Sequence, residues 1–164
     1  MIQPLAIDIL GVPVHPLTVA ELHDQLAQVI DHDNRARILH VNAHGLNLAV
    51  ELPWLSAFLN EAELVFCDGV GVILGARLLG YHIPERITYA DWMWQLADFA
   101  ARHDYSLYFL GARPGVARAA ADRLVAHHPN LRICPNRMPQ IYRLPARVCT
   151  IIAAFLEPWV VLLN

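Results

Sequence analysis

Four polar clusters carry the side chains of this sequence with the potential for chemistry: His40-Val41-Asn42 with His44, Asp68-Gly69-Val70-Gly71, Pro84-Glu85-Arg86-Ile87-Thr88, and Gly111-Ala112-Arg113-Pro114-Gly115. Asp68 is the most informative residue among them. A carboxylate just past an apolar run, followed by Gly-Val-Gly, stands where backbone approaches a ligand closely and where burial raises a carboxyl pKa towards that of a working base. The same position also suits an aspartate that caps the next helix. The Gly-x-Gly lacks the third glycine of a dinucleotide fingerprint. Arg86 offers a planar guanidinium fork that matches phosphate oxygens and offsets leaving-group charge without a metal, and beside Glu85 it equally suits a surface ion pair. The stretch 111–115 reads as a strand-to-helix turn with Pro114 at the first helical position. Free N–H groups beyond such a turn take phosphate readily, and the pattern is also that of an ordinary connection. His40 and His44 have the spacing of a zinc site, but they straddle a strand end and lack the glutamate of a metalloprotease motif, so no metal is expected. The sequence has no Gly-x-Ser-x-Gly elbow, Walker loop or Cys-x-x-Cys pair.

The elements that must position these clusters follow from apolar spacing. Residues 5–10 read as a strand and 11–16 as a turn with a short return strand. Thr18 is a good helix N-cap, ahead of Ala20, Leu22, Leu26, Val29 and Ile30 at helical spacing. Strands are expected over 37–42, 63–67, 105–110, 131–134 and 159–163. Helices are expected over 46–52, 54–60, 72–79, 91–103, 116–127 and 144–155, with Pro53 dividing the first two and 81–88 a loop. Strands thus alternate with helices from residue 37 onward, and short connections make each neighbour parallel through a right-handed crossover. The expected fold is α/β, a Rossmann-like three-layer sandwich with a mostly parallel sheet and a short N-terminal β-hairpin. In such a sheet, ligands collect outside the carboxyl ends of the strands, where three of the clusters lie, while Pro84–Thr88 falls in the loop after the helix that starts at Val72.

With 164 residues the chain fits one domain able to bury a core. Apolar residues make up 56% and charged residues 16%, so part of the apolar surface is expected to meet a partner, a lipid or a further segment. A net charge of −3 gives no field to hold a polyanion, which disfavours nucleic acid. All 12 basic residues are Arg, so phosphate contacts must come from guanidinium, backbone N–H or histidine. Cys67, Cys134 and Cys149 suit neither a disulfide framework nor a zinc knuckle, and a reducing cytoplasm is the simplest setting. No signal peptide is read at the N-terminus, and Glu157-Pro158 breaks the apolar stretch 149–163 into halves too short to span a bilayer. The apolar strand 159–163 is expected to be left uncovered and to promote self-association.

Five stretches in order carry a resemblance: Ile9-Leu10-Gly11-Val12-Pro13-Val14, Val41-Asn42-Ala43, Asp68-Gly69-Val70-Gly71, Pro84-Glu85-Arg86-Ile87-Thr88 with Asp91, and Tyr108-Phe109-Leu110-Gly111. Singly none is specific; as an ordered set, covering residues 5–134, they resemble the WecG/TagA/CpsF glycosyltransferase family. The resemblance implies inverting transfer of N-acetylmannosamine, its uronic acid or a related hexose from a UDP-sugar onto an undecaprenyl-diphosphate-linked sugar, in bacterial surface-polysaccharide synthesis. It implies no metal and no cofactor beyond the UDP-sugar donor. Carried over by motif, Asp68 resembles the general base and Arg86 the residue that stabilises the diphosphate. The substrate-binding set expected beside them is His40, Asn42, Gly69, Gly71, Thr88, Asp91, Gly111, Arg113 and Gly115.

The chain departs from the family pattern at His40, where threonine is usual, and at Tyr89, where glycine is usual. Pro135-Asn136-Arg137-Met138-Pro139 replaces a glycine-rich stretch. The family continues with a Pro-x-Gln-Glu motif and a basic C-terminal appendage, so residues 1–164 are expected to form a single core domain lacking that part, which would supply the membrane contact. Expected partners are the UDP-sugar, the lipid-linked acceptor and further copies in a homo-oligomer, with no nucleic acid. The expected location is the cytoplasm, at the inner face of the plasma membrane. The alternatives are a non-catalytic nucleotide-sugar-binding or interaction module, and an unrelated nucleotide-dependent enzyme on the same sheet.

Overall fold

Ile7, Ile9, Val12 and Val14 alternate with Asp8 and Pro13, and the computed structural model, which describes residues 5–32, 34–111, 115–134, 148–153 and 160–163, pairs them as a hairpin of β1 (Ile7–Ile9) and β2 (Val12–Val14). Its two turn residues, Leu10 and Gly11, both take positive φ (54° and 79°), the turn geometry that matches the twist of paired strands. Helix α1 (Val19–Asp31) opens on a complete capping box, in which Thr18 and Glu21 satisfy each other's backbone N–H. Its buried residues Val19, Leu22, Leu26, Val29 and Ile30 form one stripe.

The chain continues through β3 (Ile38–Val41), α2 (Ala43–Glu51), α3 (Pro53–Asn60), β4 (Leu64–Cys67), α4 (Val70–Leu78), α5 (Tyr89–Arg102), β5 (Ser106–Gly111), α6 (Val116–His127), β6 (Arg132–Ile133), β7 (Val148–Ala153) and β8 (Val160–Leu163). Pro53 opens α3 at a position that needs no N–H donor. Among the described residues the main sheet runs β4-β3-β8-β7-β5-β6. Pairs β3–β4, β5–β6 and β5–β7 are parallel, while β8 is antiparallel to both β3 and β7. These directions bring the carboxyl ends of β3, β4 and β5 to the same edge.

Alternate residues of β3 and β4 feed two apolar clusters. Ile38, Leu64 and Phe66 pack with α1, α5 and α6 on one face, and Leu39, Val41, Val65 and Cys67 pack with the hairpin, α2, α3 and α4 on the other. Both strands are buried throughout, as their continuous apolar runs require. The outer rim of β4 is covered by the segment after β2. His15 donates its N–H to the Val65 carbonyl at 2.7 Å, and the Val65 N–H reaches His15 Nδ1 at 3.0 Å.

Three expectations need correction. The helix expected over 144–155 is contradicted by strand β7; 144–147 and 154–155 lie outside the described residues. Val148, Thr150, Ile151 and Ile152 are β-branched, and a short apolar run does not separate helix from strand by periodicity. The sheet is not parallel throughout, because only residues 154–159 join β7 to β8 and a parallel crossover needs a dozen or more. The strand expected to be uncovered is not at an edge: β8 lies between β3 and β7.

Candidate functional site

Strand β3 ends at Val41 and β4 at Cys67, and the Asp68 N–H donates to the Val41 carbonyl at 2.9 Å, so the two strand ends stay in register up to the first loop residues. Asn42 caps α2, its Oδ1 accepting from the Gly45 N–H at 2.9 Å. Asp68 does not cap α4. The cap position is Gly69, at φ 103° and ψ 156°, a conformation that side chains with a Cβ adopt only under strain. Gly71 has a different reason for its type. A Cβ there would meet the Ala43 Cβ at 2.8 Å, so the glycine lets α4 close on α2.

Relieved of capping, the Asp68 side chain, 19% exposed, lies beside the buried ring of His40, with Nε2 and Oδ2 at 3.7 Å. That separation is an electrostatic contact rather than a hydrogen bond. Burial holds the Asp68 carboxyl above its ordinary range, against the opposing pull of His40 and then Arg86. Arg86 is exposed, in a loop fastened on both sides of it. The Ile87 N–H donates to the Cys67 carbonyl at 3.2 Å, and Glu85 Oε2 accepts from the Val19 N–H at 2.7 Å. The Glu85 carboxylate therefore serves the start of α1, which leaves the guanidinium facing solvent within electrostatic reach of Asp68.

Thr88 and Asp91 engage each other, Oγ1 donating to Oδ2 at 2.8 Å across the first turn of α5. That contact aligns the helix that carries Tyr89, whose ring centroid lies 5.5 Å from that of His40. His40 and Tyr89, two of the places at which the chain departs from the family pattern, thus meet in space. Phe66, whose ring lies 5.8 Å from His40, is a neighbour that the sequence did not single out, and Tyr89 was marked there without a partner being assigned to it. The pairing of His40 with Phe66 was implicit in two adjacent parallel strands, but not which residues would align.

Other expected residues stand apart. His44 is exposed on α2 while His40 is buried on β3, so their spacing does not bring them to one helix face. Gly111 ends β5 and Gly115, with φ 90°, precedes α6; residues 112–114, including Arg113, lie outside the described residues. Cys67 is no nucleophile: burial first, then Asp68, pushes its thiol up to about 12. What the arrangement brings together is a desolvated carboxyl, an imidazole and a solvent-facing guanidinium at one strand end. This set suits proton abstraction beside a developing anion.

Comparison with known proteins agrees with the motifs. The chain is 27% identical over 104 residues to an N-acetylglucosaminyldiphosphoundecaprenol N-acetyl-beta-D-mannosaminyltransferase of Bacillus spizizenii, covering 63% of this chain and 40% of that protein. It is 24% identical over 127 residues to the protein of the same name in Staphylococcus aureus (strain NCTC 8325 / PS 47), covering 76% of this chain and 50% of the relative. The chain spans half the length of these relatives or less. The model of the glycosyl transferase WecG/TagA/CpsF family matches residues 7–157, which include every candidate site residue, and the chain belongs to that family.

Proposed function

We infer that this chain is the donor-binding, base-bearing core of an inverting hexosyltransferase that moves an N-acetylmannosamine-type sugar from a UDP-sugar to a lipid-diphosphate-linked sugar. The carrying observation is Asp68: off the helix cap, desolvated, and flanked by His40 and Arg86. The Asp68 carboxylate takes the proton of an acceptor hydroxyl as its oxygen attacks the anomeric carbon. The bond from that carbon to the diphosphate oxygen breaks with inversion, and UDP leaves with the electron pair. Arg86 offsets the charge that builds on the diphosphate. Asn42, Gly69, Gly111 and Gly115 form the donor side of the pocket, with N–H groups at the start of α6. The reading needs no metal. A Rossmann-like three-layer arrangement is the matching architecture, supported by the apolar layers on both faces of β3 and β4; the lipid-linked acceptor would place the chain at the inner face of the plasma membrane.

Calorimetry with UDP in the presence of EDTA should show binding; its complete loss on chelation overturns the metal-free reading. Single-turnover transfer by Asp68→Asn should fall by about 10²–10⁴-fold with UDP-sugar affinity kept, the usual scale of general-base catalysis. The folded chain holds the Asp68 proton to higher pH than the unfolded chain does, so ionised Asp68 costs stability at neutral pH. Asp68→Asn should therefore melt no lower than wild type. An Asn variant that turns over normally removes Asp68 from the mechanism, and UDP binding with no transfer by the wild-type chain favours a non-catalytic binding module.

A further inference from the structure

Glu85 stands directly before Arg86, and a carboxylate there repels the anion that Arg86 would hold unless its charge is engaged elsewhere. It is engaged at the start of α1. The capping box of that helix satisfies the Glu21 N–H and leaves the Val19 N–H, and Glu85 Oε2 accepts from the latter at 2.7 Å. The positive end of the helix also offsets the carboxylate's charge. The bond joins residues 66 apart in sequence and is partly buried.

Its place in the fold gives the bond a purpose. Residues 79–88 join α4 to α5 without helix or strand. Ile83 is buried in the apolar layer that holds α4, and Ile87 in the opposite layer with α1 and α5, so between them the chain passes from one face of the sheet to the other. It crosses at the carboxyl end of β4, where the Ile87 N–H reaches the Cys67 carbonyl at 3.2 Å. Pro84 and Arg86 are exposed on this crossing, with Glu85 half-buried between them. Arg86 is therefore carried between two tied neighbours, Glu85 on α1 and Ile87 on β4. A long side chain on a backbone so held has less freedom to lose when it closes on an anion.

We propose that Glu85 is a positioning residue: its bond to the start of α1 straps the crossing loop in place and holds the Arg86 guanidinium at the mouth of the site, set for a diphosphate. The inference rests on the proposed role of Arg86. It goes beyond that role by giving a residue that touches no substrate a share in binding affinity.

Calorimetry with UDP on Glu85→Ala, Glu85→Gln, Arg86→Ala and the double variant Glu85→Ala/Arg86→Ala tests it, with hydrogen exchange at the Ile87 amide followed on the same proteins. Glu85→Ala should weaken UDP binding by about three- to tenfold, the scale of ordering one long side chain on binding, and should speed Ile87 exchange. Glu85→Gln keeps an oxygen for the Val19 N–H and should stay within about twofold of wild type. In the Arg86→Ala background, Glu85→Ala should add nothing, whereas a merely destabilised chain would lose as much in both backgrounds. Repulsion alone predicts the opposite sign, since removing the carboxylate would then tighten UDP binding. Unchanged or tighter binding by Glu85→Ala overturns the proposal, as does an equal loss in the Gln and Ala variants, or an equal loss with and without Arg86. If wild type does not bind UDP, or Arg86→Ala binds it equally well, the proposed role of Arg86 fails instead. Exchange alone then decides the strap: faster Ile87 exchange in Glu85→Ala but not in Glu85→Gln upholds it, and any other pattern overturns it.

Discussion

For Asp68 to act as a base it must ionise, and yet bind a proton more strongly than a carboxylate in water does. Burial supplies the second requirement and the neighbouring His40 and Arg86 moderate it. The acid limb of the pH–rate profile should therefore lie above the ordinary carboxylate value of 3.8. His40→Thr removes a group that pulls the Asp68 pKa down, so that limb should move to higher pH; single-turnover rates measured across the acid range would show it, and an unmoved limb would detach His40 from Asp68. The positions of Asn42 and Asp68 just past β3 and β4, and of Arg86 in the loop between α4 and α5, were legible in the sequence because the strands and helices around them were. The partner of Asp68 was less so. His40 is expected in the substrate-binding set but not as the neighbour of Asp68, and its alignment with Phe66 and Tyr89 depends on strand register and on the start of α5.

At the scale of elements, the site depends on how closely α4 seats on α2. The 2.8 Å approach that a Cβ at Gly71 would make to Ala43 leaves no room for a methyl group. Gly71→Ala should cost about 1–3 kcal/mol in denaturant unfolding, the range for an overpacked contact. Adding Ala43→Gly should recover much of the loss, whereas a Gly71→Ala chain as stable as wild type would show that α4 is free to shift. Most helices and strands could be read from the sequence because caps and periodicity agree: Thr18 opens α1, Pro53 opens α3, and α6 runs as expected from Val116 to His127. The helices α2, α4 and α5 begin two or three residues earlier than their apolar periodicity predicts, because Asn42, Gly69 and Thr88 set their first turns. Strand β7 was misread as a helix because its evidence is tertiary: pairing with β5 and β8 decides what periodicity leaves open.

Across the whole molecule, two histidines tie stability to pH. Burial lowers the His15 pKa, with its backbone hydrogen bond to Val65 opposing. His23 is driven down to about 4, by burial first and then by Arg102, while Asp24 and Asp98 oppose. Its Nε2 accepts the Trp92 indole N–H at 3.0 Å, a bond that protonation would destroy. Below the ordinary value of 6.5 the unfolded chain takes up protons that the folded chain refuses, so stability should fall as pH drops from 6.5 towards 4 and level off above 6.5. Thermal midpoints across that window should show the slope, and His23→Gln, which keeps an acceptor for Trp92, should flatten it. The strand order of the sheet was the least legible feature, since it follows from the short β7–β8 return and from no local signal. The cover that His15 lays over β4 joins residues 50 apart in sequence. On a ribosome adding roughly 5–20 residues per second, the hairpin emerges several seconds before the strand it must seal. A hairpin alone is marginal in water. Until Val65 closes on His15, the rim of the newly made β4 remains open to any neighbouring chain, so this strand is sealed by residues made well before it.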